Sequence, residues 1–572
     1  MNRFTIIQMK KNRRNFLKNI GLIGGTGLLA TLPFKSDSKP FDASLDSPHE
    51  TEKDEIIQLT ILQTTDVHCQ VEAHDELFWE NNQMVFRKTG GYANLAAYLN
   101  KIRKKNPSTF LMDTGDMFQG SELSAKTTGK AMLPILNALA YDLYLPGNWE
   151  IIYGKKNMQT LLGGLHAPKV CANMYHDIGD SKKGELIFPP YFIWNAHGVK
   201  IGMIGYTDPM VPIRQSPAYS KGIIYTKPEE NLAYYVDVLR KQENCAFVLI
   251  AAHLGLSQQI ALANNEVCKG VDYILGGDTH ERVRKPIQCS YSKVVEPGAF
   301  GSFVGRLELT VKEGKVIKDE YFLDEIESSK YKPSTQISAL IKENLEPFDK
   351  EINTIIGYST IPLYRYFVVE NPIDTMILDA LKWKINDVDI VLSNGFRFCP
   401  PRVTPDKTGM IPITEGFLYD MFPVDSAERK GEVKGSQLTE WMEKELNNVF
   451  AKDANERLGG WVVKFKGMKV SFNAFGQKGQ RVKEMLINGM PIEADKTYKI
   501  CACEREGDPI DVVCRMKNVM NTSRTEHSLH TIMRAYLTAN SPVTPTPQAN
   551  ADILDAPQTL LTQVTGVDYT FR

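Results

Sequence analysis

The sequence predicts an α/β layered domain followed by a smaller α+β unit, and three observations lead to this fold class. Short apolar, β-branched runs alternate with amphipathic helical stretches between residues 56 and 322, the pattern of strands packed between helices. The 572 residues exceed what one hydrophobic core accommodates. The composition is that of a globular protein, with 42% apolar and 24% charged residues. A net charge of −1 gives no reason to expect nucleic acid as a partner.

The individual elements follow from local patterns along the chain. Apolar, β-branched runs predict strands at 56–62, 109–112, 143–145, 199–205, 246–252 and 271–275. Apolar residues repeating every three to four positions predict helices at 92–103, 131–139 and 231–242. Alternating apolar residues over 305–322 predict closing antiparallel strands. In the second unit, the patterns predict helices at 374–385 and 435–449 and a strand at 390–392.

The N-terminal stretch has the order of an export signal. Basic residues between Lys10 and Lys18 precede a glycine-containing apolar segment from Ile20 to Leu32. The adjacent arginines within the basic stretch resemble a twin-arginine signal, which predicts an exported, periplasmic protein. A basic anchor at the membrane surface is the alternative. Since no apolar run reaches the roughly 20 residues needed to span a bilayer, we expect no membrane insertion after signal removal.

The expected organisation has six parts. They are a signal peptide (1–34), a disordered spacer (35–54), a catalytic domain (55–328), a linker helix (329–357), a C-terminal substrate-binding domain (358–540) and a tail (541–572). The linker carries apolar residues spaced as one helical face, with a kink expected at Pro347. The proline-rich start of the tail predicts a loose excursion from the fold.

Polar side chains follow the carboxyl ends of five predicted strands. This edge is where α/β sheets bind ligands, so we expect these side chains to converge. They are Asp66, His68, Asp116, Asn148, His253, Asp278 and His280. For His253 the alternative is a core or helix-capping histidine. Asp113 is expected to support the site through its contacts and not to bind a metal itself.

Mixed carboxylate, imidazole and amide ligands suit manganese, iron or zinc better than calcium. Seven candidates are enough for two divalent metal ions that share a bridging carboxylate. Such a pair lowers the pKa of a bridging water and stabilises an oxyanion during displacement. Phosphate and sulfate-like groups are the natural electrophiles, so a small anionic substrate is expected.

The ordered motifs Asp66-Val67-His68, Gly115-Asp116, Gly147-Asn148, a lone histidine and Gly277-Asp278-Thr279-His280 resemble those of binuclear metallophosphoesterases. Chain length, the linker and the second unit narrow the resemblance to the two-domain 5'-nucleotidase family. The resemblance implies a four-layer α/β/β/α catalytic domain and a 5'-nucleotidase-type C-terminal domain. It implies a metal-dependent hydrolase active in nucleotide catabolism. By motif, it assigns the first metal to Asp66, His68 and His280, the bridge to Asp116, and the second metal to Asn148, His253 and Asp278.

Two positions depart from the family pattern. The usual Gly-Asn-His-Glu is Gly-Asn-Trp-Glu here, with Trp149 in place of a histidine. An indole donates one N–H but is no acid near neutral pH. Asp278 replaces the first histidine of Gly-His-X-His, which exchanges a neutral nitrogen ligand for a charged oxygen and favours manganese or iron. We assign catalysis itself to Asp116, Asn148 and Trp149.

Residues 149–154, Trp-Glu-Ile-Ile-Tyr-Gly, also resemble the Trp-Glu-Phe-Thr-Tyr-Gly pattern of sulfur-oxidation thiosulfohydrolases. That branch implies a dimanganese enzyme that releases sulfate from a cysteine-bound S-sulfonate on a sulfur-carrier protein. A second stretch, 393–398, resembles both the substrate loop of nucleotidases and a segment of the thiosulfohydrolases. Its substrate-binding candidates are Asn394, Phe396, Arg397 and Phe398. Arginine offers a planar fork for an anion.

Nucleotidases usually hold the base between two aromatic rings, and the expected second ring is missing. Residues 504–509 contain no aromatic side chain, and stacking contributes about 1–3 kcal/mol per base.

Nine cysteines without a dense spacing do not predict a disulfide framework. Cys501 and Cys503 form either a metal or redox pair or, as we predict, alternating positions of a strand.

Three functions are compatible with the sequence. The first is a 5'-nucleotidase-like phosphoesterase whose metal-bridged hydroxide attacks a phosphate monoester. The second is a thiosulfohydrolase. The third is a metal-binding protein with little turnover. Trp149 and the missing ring favour sulfur chemistry, whereas Asn148 and the two-domain similarity favour phosphate chemistry.

Overall fold

The computed structural model describes residues 56–81, 83–393, 399–457 and 460–556. The predicted signal peptide and spacer, and the candidate substrate residues Asn394, Phe396, Arg397 and Phe398, lie outside the described residues. Within the described part of the chain, no helix combines the length and the apolar character required to cross a membrane.

The first unit runs to residue 325. Its strands are β1 (Ile56–Thr64), β2 (His74–Glu80), β3 (Gln83–Thr89), β4 (Thr109–Asp113), β5 (Leu143–Tyr144), β6 (Met174–Asp177), β7 (Lys183–Leu186), β8 (Tyr191–Ala196), β9 (Val199–Thr207), β10 (Ile223–Tyr225), β11 (Phe247–His253), β12 (Tyr273–Leu275), β13 (Ile287–Gln288), β14 (Lys293–Val295), β15 (Phe303–Lys312) and β16 (Lys315–Glu325). Its helices are α1 (Tyr92–Lys105), α2 (Glu122–Thr127), α3 (Met132–Leu139), α4 (Gly154–Gly164), α5 (Val211–Arg214), α6 (Leu232–Asp237) and α7 (Leu256–Ala263). A π-helical turn, Val238–Gln242, extends α6.

Two sheets form the centre of this unit. The first has the order β16-β15-β1-β4-β5, and the second has the order β13-β14-β12-β11-β9-β8. In the first, β1 pairs in parallel with β4, and in the second, β11 pairs in parallel with β9 and β12. Residues of both sheets belong to one hydrophobic core, and Phe110 of β4 lies 5.0 Å from Trp194 of β8 between ring centroids. The predicted α/β layered class is confirmed.

The burial of the central strands explains their composition. All seven residues of β11 are buried, as expected for a parallel strand covered on both faces. The last six residues of β1 are buried as well. In contrast, β15 alternates buried and half-buried positions towards its end, because it belongs to the antiparallel edge of its sheet. The strands that end at the candidate site are thus buried towards their carboxyl ends.

The connection to the second unit is two helices, α8 (Thr335–Leu345) and α9 (Asp349–Ile352). The predicted kink at Pro347 is observed as the break between them. Ile337 and Ile341 of α8 pack into the core of the first unit. The expectation that the linker continues to residue 357 is wrong, because the chain is already a strand from Ile355.

The second unit alternates strands and helices around two further cores. Its strands are β17 (Ile355–Ser359), β18 (Ile390–Ser393), β19 (Ile411–Thr414), β20 (Ala427–Lys434), β21 (Lys464–Lys466), β22 (Met468–Phe472), β23 (Val482–Ile487), β24 (Met490–Pro491), β25 (Thr497–Cys503), β26 (Met520–Ser528) and β27 (Ala551–Ile553). Its helices are α10 (Pro372–Lys384), α11 (Glu415–Met421), α12 (Gly435–Phe450) and α13 (Leu529–Asn540).

The main sheet of this unit has the order β21-β18-β25-β20-β26. Cys501 and Cys503 lie on β25, as predicted, and none of the nine cysteines, all of which lie in the described residues, forms a disulfide. The prediction of a loose tail from residue 541 is wrong for its first part. Val543 is buried beside Ser359, and β27 pairs in parallel with β22 in a second sheet of this unit. The apolar residues of β27 anchor that stretch.

The two units are joined by side chains of the β2–β3 hairpin. Asp75 accepts hydrogen bonds from the backbone N–H of Val403 and the hydroxyl of Thr404, at 3.1 and 3.0 Å. The hydroxyl of Tyr366 donates to Glu76, which also forms a buried ion pair with Arg282. These contacts hold the hairpin of the first unit against Tyr366, Val403 and Thr404 of the second.

Candidate metal centre

Seven polar side chains lie at one edge of the two central sheets. Asp66 and His68 follow β1, Asp116 follows β4, and Asn148 follows β5. His253 is the last residue of β11, and Asp278 and His280 follow β12. All are buried except His280, whose side chain is 14% exposed. The structure thus brings together every ligand residue that the sequence pattern nominated.

The carboxylate and imidazole atoms form two overlapping groups. Asp66, His68 and His280 make up the first, and Asp66, Asp116 and His253 the second. Asp66 Oδ1 lies 3.3 Å from His280 Nε2, 3.8 Å from His68 Nε2 and 3.9 Å from His253 Nε2. Asp66 therefore belongs to both groups, a feature that the motif assignment did not contain.

Asp116 lies between the two groups. Its Oδ2 is 3.9 Å from Nε2 of His68 and 3.2 Å from Nε2 of His253. Its other oxygen accepts a 2.8 Å hydrogen bond from the backbone N–H of Trp149. The carboxylate is thus fixed at Oδ1 and turns Oδ2 towards both histidines, which is the geometry of a bridging ligand.

Asp66, His68 and His253 likewise use one polar atom for a hydrogen bond and direct another towards the centre. Asp66 Oδ2 accepts from the hydroxyl of Thr65 at 2.6 Å and from the backbone of Asp278 at 3.1 Å. Nδ1 of His68 is 2.9 Å from the carbonyl of Gln119. Nδ1 of His253 is 2.7 Å from the carbonyl of Thr114. Each residue is oriented by one atom and presents the other to the centre, as metal ligands typically do.

The loops carry unusual backbone conformations at these residues. The left-handed region is sparsely populated by residues with side chains and costs of order 1–3 kcal/mol where it is strained. Five of the candidates adopt it, with φ of 50° at Asp66, 50° at His68, 63° at Asp116, 105° at Asp278 and 60° at His280. Such a concentration is typical of functional sites.

Two glycines of the motifs are required by close approach. A Cβ at Gly147 would lie 2.2 Å from Oδ1 of Asp116, and one at Gly277 would lie 2.1 Å from the hydroxyl oxygen of Thr65. Both distances are far below van der Waals contact. The glycines before Asn148 and Asp278 therefore allow neighbouring loops to pack against each other at the site.

Burial without a cation shifts the pKa values of the cluster. Burial raises the pKa of Asp66 to about 6, and burial together with the nearby His280 lowers the pKa of His68 to about 3. Burial also opposes charge on His253, but the carboxylates of Asp116 and Asp66 outweigh it and raise its pKa well above the ordinary value. Burial thus opposes the negative charge of Asp66, while the carboxylates favour positive charge on His253.

These residues fit divalent metal ions. Within the described residues, Asp66 Oδ1 and His253 Nε2 are buried and have no hydrogen-bond partner. Nε2 of His68 and Nε2 of His280 lie 3.1 Å apart. Buried acceptors that converge in this way are costly unless a cation or proton lies between them. The set of carboxylate oxygens and imidazole nitrogens suits manganese, iron or zinc.

Comparisons with known proteins agree with this geometry. The family model described as calcineurin-like phosphoesterase matches residues 59–282, and the model for the C-terminal domain of 5'-nucleotidases matches residues 355–504. The two matches cover the two units in the expected order. The chain belongs to the two-domain 5'-nucleotidase family of metallophosphoesterases.

Similar proteins include a trifunctional nucleotide phosphoesterase of Bacillus subtilis, 24% identical over 82% of this chain and 32% of its own length. This chain therefore spans about a third of that relative. Among solved structures, the SoxB sulfate thiohydrolase of Thermus thermophilus has a TM-score of 0.77 at 20% identity, covering 88% of this chain and 98% of that one. A 5'-nucleotidase precursor of Thermus thermophilus has a TM-score of 0.75 at 20% identity, covering 88% and 100%.

Glu150 ends the Gly-Asn-Trp-Glu motif of this 5'-nucleotidase family member and had no role in the sequence analysis. Its buried carboxylate accepts from the backbone N–H groups of Gly147 at 2.7 Å, Asp116 at 3.1 Å and Met117 at 2.8 Å. It thereby ties the β4 loop to the β5 loop. The signal available in the sequence was an acidic residue directly after Gly147-Asn148-Trp149.

Trp149, the departure from the family motif, lies beside the first group of ligands. It packs against Ala299 and Phe300, and the ring of Phe300 lies 5.4 Å from that of His280 and 6.2 Å from that of His68 between centroids. The residue thus contributes an apolar wall where the family usually has a titratable imidazole.

Asp278, the second departure, is held by polar neighbours. Its Oδ1 accepts a 2.6 Å hydrogen bond from Asn148 Nδ2 and lies 3.8 Å from His253 Nε2. Its Oδ2 accepts from Arg214 at 3.3 Å. Arg214 was not among the sequence candidates, and no motif marked it. Asp113 accepts a hydrogen bond from the Thr64 hydroxyl at 2.6 Å, and its role in supporting the site stays a prediction.

Proposed function

We propose that this protein is an exported dinuclear-metal hydrolase that cleaves phosphate monoesters of nucleotide-like substrates. The observation that carries the proposal is a pair of overlapping clusters, Asp66 with His68 and His280, and Asp66 with Asp116 and His253. In each of them the carboxylate and imidazole atoms lie within 4.8 Å of one another. If these residues only stabilised the fold, so many costly buried charged groups at one sheet edge would not be required.

The ligand assignment follows the motifs and the distances. Asp66, His68 and His280 hold the first metal, and Asp116 bridges the two. Asn148, His253 and Asp278 hold the second. Two bound divalent ions would activate a water molecule and stabilise the developing negative charge of the phosphate. Nδ1 of His253 is anchored to the carbonyl of Thr114, so its Nε2 is kept available for binding.

The hydrogen bonds of the loops define what the chain itself contributes. The backbone N–H of Trp149 and the carboxylate of Glu150 together fix Asp116 and Gly147. Asn148 is oriented by its donation to Asp278 and by Gln215, which donates to the Asn148 carbonyl at 2.7 Å. These contacts preorganise the ligands and limit the rearrangement that metal binding requires.

Manganese is the proposed metal, with iron and zinc as alternatives. Asp278 supplies oxygen where the family pattern supplies nitrogen, and oxygen ligands favour harder ions. The proposed export by the twin-arginine route supports the same choice, because that route carries folded proteins whose metal was inserted before transport.

A nucleotide-like substrate is supported by the C-terminal 5'-nucleotidase domain and by the nucleotide phosphoesterase named among the relatives. We assign substrate binding to Asn394, Phe396, Arg397 and Phe398, in the stretch that follows β18. Arg397 is the proposed contact for a phosphate oxygen, because its guanidinium matches an oxyanion with two parallel hydrogen bonds.

The second candidate function is release of sulfate from a cysteine-bound S-sulfonate on a sulfur-carrier protein. Trp149 is the observation that favours it. Its indole, packed on Phe300, provides no acid for a poor leaving group, whereas the cysteine thiolate released from an S-sulfonate leaves with little protonation. The fold does not discriminate, because the thiohydrolase and the nucleotidase structures are equally similar to this chain.

One experiment separates the candidates. The protein is purified without metal, loaded in turn with manganese, iron and zinc, and assayed for phosphate from nucleoside monophosphates and for sulfate from S-sulfocysteine. Phosphate release supports the main proposal, and sulfate release alone supports the second. If neither anion appears with any metal, the enzyme proposal is wrong and a metal-binding role replaces it. The variant His253→Ala controls for a contaminating hydrolase.

A further inference from the structure

The short segment from Asp208 to Ser216 contacts Asp278 and Asn148, two proposed ligands of the second metal. The motif assignment gave this segment no role. It contains α5, which ends at Arg214. The side chain of Arg214 is 13% exposed and reaches two carboxylates. Its Nη1 lies 2.9 Å from Oδ2 of Asp208 and 3.3 Å from Oδ2 of Asp278. A guanidinium thus stands directly behind a proposed metal ligand.

The contact is specific to one oxygen of Asp278. Oδ2 accepts from Arg214, whereas Oδ1 accepts from Asn148 and faces His253 at 3.8 Å. A carboxylate with both oxygens available can bind a metal through either or through both. The structure thus turns Oδ2 of Asp278 towards Arg214 and Oδ1 towards Asn148 and His253.

Arg214 also compensates negative charge at the site. Asp278 stands where the family pattern has a neutral histidine, so this chain carries one more negative charge beside Asp66 and Asp116. A buried charge is costly unless it is paired and hydrogen-bonded. Arg214 supplies that pair, and Asp208 holds the guanidinium in place from the other side.

The neighbours of Arg214 keep the segment fixed. Asp208 accepts from the backbone N–H of Met210 at 2.8 Å, which closes the turn before α5. Gln215, the next residue after Arg214, donates to the Asn148 carbonyl at 2.7 Å. Two consecutive side chains of one segment therefore contact two of the proposed ligands of the second metal, Asp278 and Asn148.

We propose that Arg214 is the positioning residue of the second metal site and that it holds the carboxylate of Asp278 with Oδ1 towards His253. The inference rests on the metal centre of the proposed function, but it does not depend on which anion the enzyme releases. It treats the arginine and the aspartate at 278 as a matched pair. A histidine at position 278 needs no such partner.

The test is a double-mutant cycle read by metal binding. Mn²⁺ binding to the full chain is followed by calorimetry and by the electron paramagnetic resonance of free Mn²⁺, for wild type, Arg214→Met, Asp278→His and the double variant. Loss of a supporting residue typically weakens metal affinity about 10–100-fold. We expect that loss at one of the two sites in Arg214→Met, and a change of less than about threefold when the same substitution is made in the Asp278→His background.

Two further variants serve as controls for this experiment. Arg284→Met is the matched control, since Arg284 forms its ion pair with Glu325 at 40% exposure, and it should bind both ions like wild type. Arg214→Lys keeps the charge but loses the planar fork, and an intermediate loss of affinity is expected. It takes the place of Arg214→Met in the cycle if the methionine variant does not fold by circular dichroism.

The outcomes distinguish the two levels of inference. If wild type itself binds fewer than two Mn²⁺ ions, the proposed metal centre fails, and the role of Arg214 fails with it. If wild type binds two ions and the arginine variants bind them equally well, only the role of Arg214 is wrong. An equal loss with aspartate and with histidine at position 278 overturns the matched pair as well.

Discussion

The guanidinium of Arg505 in the second unit donates to the backbone carbonyl of Ile213 in the first, at a distance of 2.6 Å. The same nitrogen lies 3.3 Å from the carbonyl of Gln215, and the hydroxyl of Ser216 donates back to the carbonyl of Glu506 at 2.5 Å. Asp508 holds the arginine in this orientation. Residues 505–508, where an aromatic clamp was missing, thus dock onto the segment that carries Arg214.

Removal of this contact should loosen the segment. We expect Arg505→Ala to increase amide hydrogen exchange over residues 211–216, because those backbone carbonyls lose their partner, and to lower the free energy of unfolding by about 1 kcal/mol. Exchange is measured by mass spectrometry. Arg524→Ala, which removes an arginine that is 66% exposed, serves as the control. Unchanged exchange over 211–216 would contradict the docking role.

Removal of the bridging carboxylate should empty both metal sites. Asp116 Oδ2 lies within 3.9 Å of His68 and 3.2 Å of His253, so Asp116→Ala deprives both groups of a shared ligand. Metal content, measured by elemental analysis after manganese loading and gel filtration, is expected to fall from two ions to fewer than one per chain. Asp237→Ala, at an exposed carboxylate, should retain two. Two tightly bound ions in Asp116→Ala would show that the bridge is misassigned.

Restoring the family histidine tests the leaving-group argument. Trp149→His introduces a group that titrates near neutral pH, and general acid catalysis is typically worth about 10²–10⁴ in rate. If phosphate esters are the substrates, we expect kcat for a nucleoside monophosphate to rise at least tenfold, with a new decline at high pH as the imidazole loses its proton. Trp149→Phe keeps the packing on Phe300 without a titratable group and should show neither effect. A kcat that is equal in both variants would rule out this explanation.

A pH dependence of stability is expected from Glu428, which is remote from the metal ligands in sequence. Burial, reinforced by Asp425, raises the pKa of Glu428 from 4.5 to about 8. The folded protein therefore holds this proton where the unfolded chain has released it. The favourable contribution is complete below pH 4.5 and is lost as the pH rises towards 8.

Glu428→Gln mimics the protonated carboxyl at every pH. Thermal unfolding followed by circular dichroism should show the variant to be more stable than wild type at pH 9, by on the order of a few kcal/mol, and similar to it at pH 4.5. Glu493→Gln, at an exposed position, should change neither value. A gain of the same size at both pH values would mean that the effect does not come from titration of Glu428.

The sequence determined the ligand set because each ligand belongs to a short local motif. Asp66 and His68 directly follow a buried strand, and the glycines before Asn148 and Asp278 mark close packing of loops. Parallel strands that all end at one edge bring such motifs together without any knowledge of the packing. The helices and strands nearest the site were predictable for the same reason.

Other features depended on residues far apart in the chain. The β2–β3 hairpin joins the units through Asp75 and Glu76, and β27 inserts beside β22 although its surroundings in sequence are rich in proline and polar residues. Neither has a local pattern strong enough to reveal it. Their stability comes from partners about 80 to 330 residues away, which only packing supplies.

By itself, the sequence determined which side chains gather at the sheet edge, since strand ends and turn glycines are local properties. Only the tertiary structure decided how those side chains are oriented. It places Asp66 in both ligand groups, Glu150 under the backbone of two loops, and Arg214 behind Asp278. These relationships arise from loops separated by 30 to more than 200 residues, whose distances are set by the packing of two sheets and not by any motif.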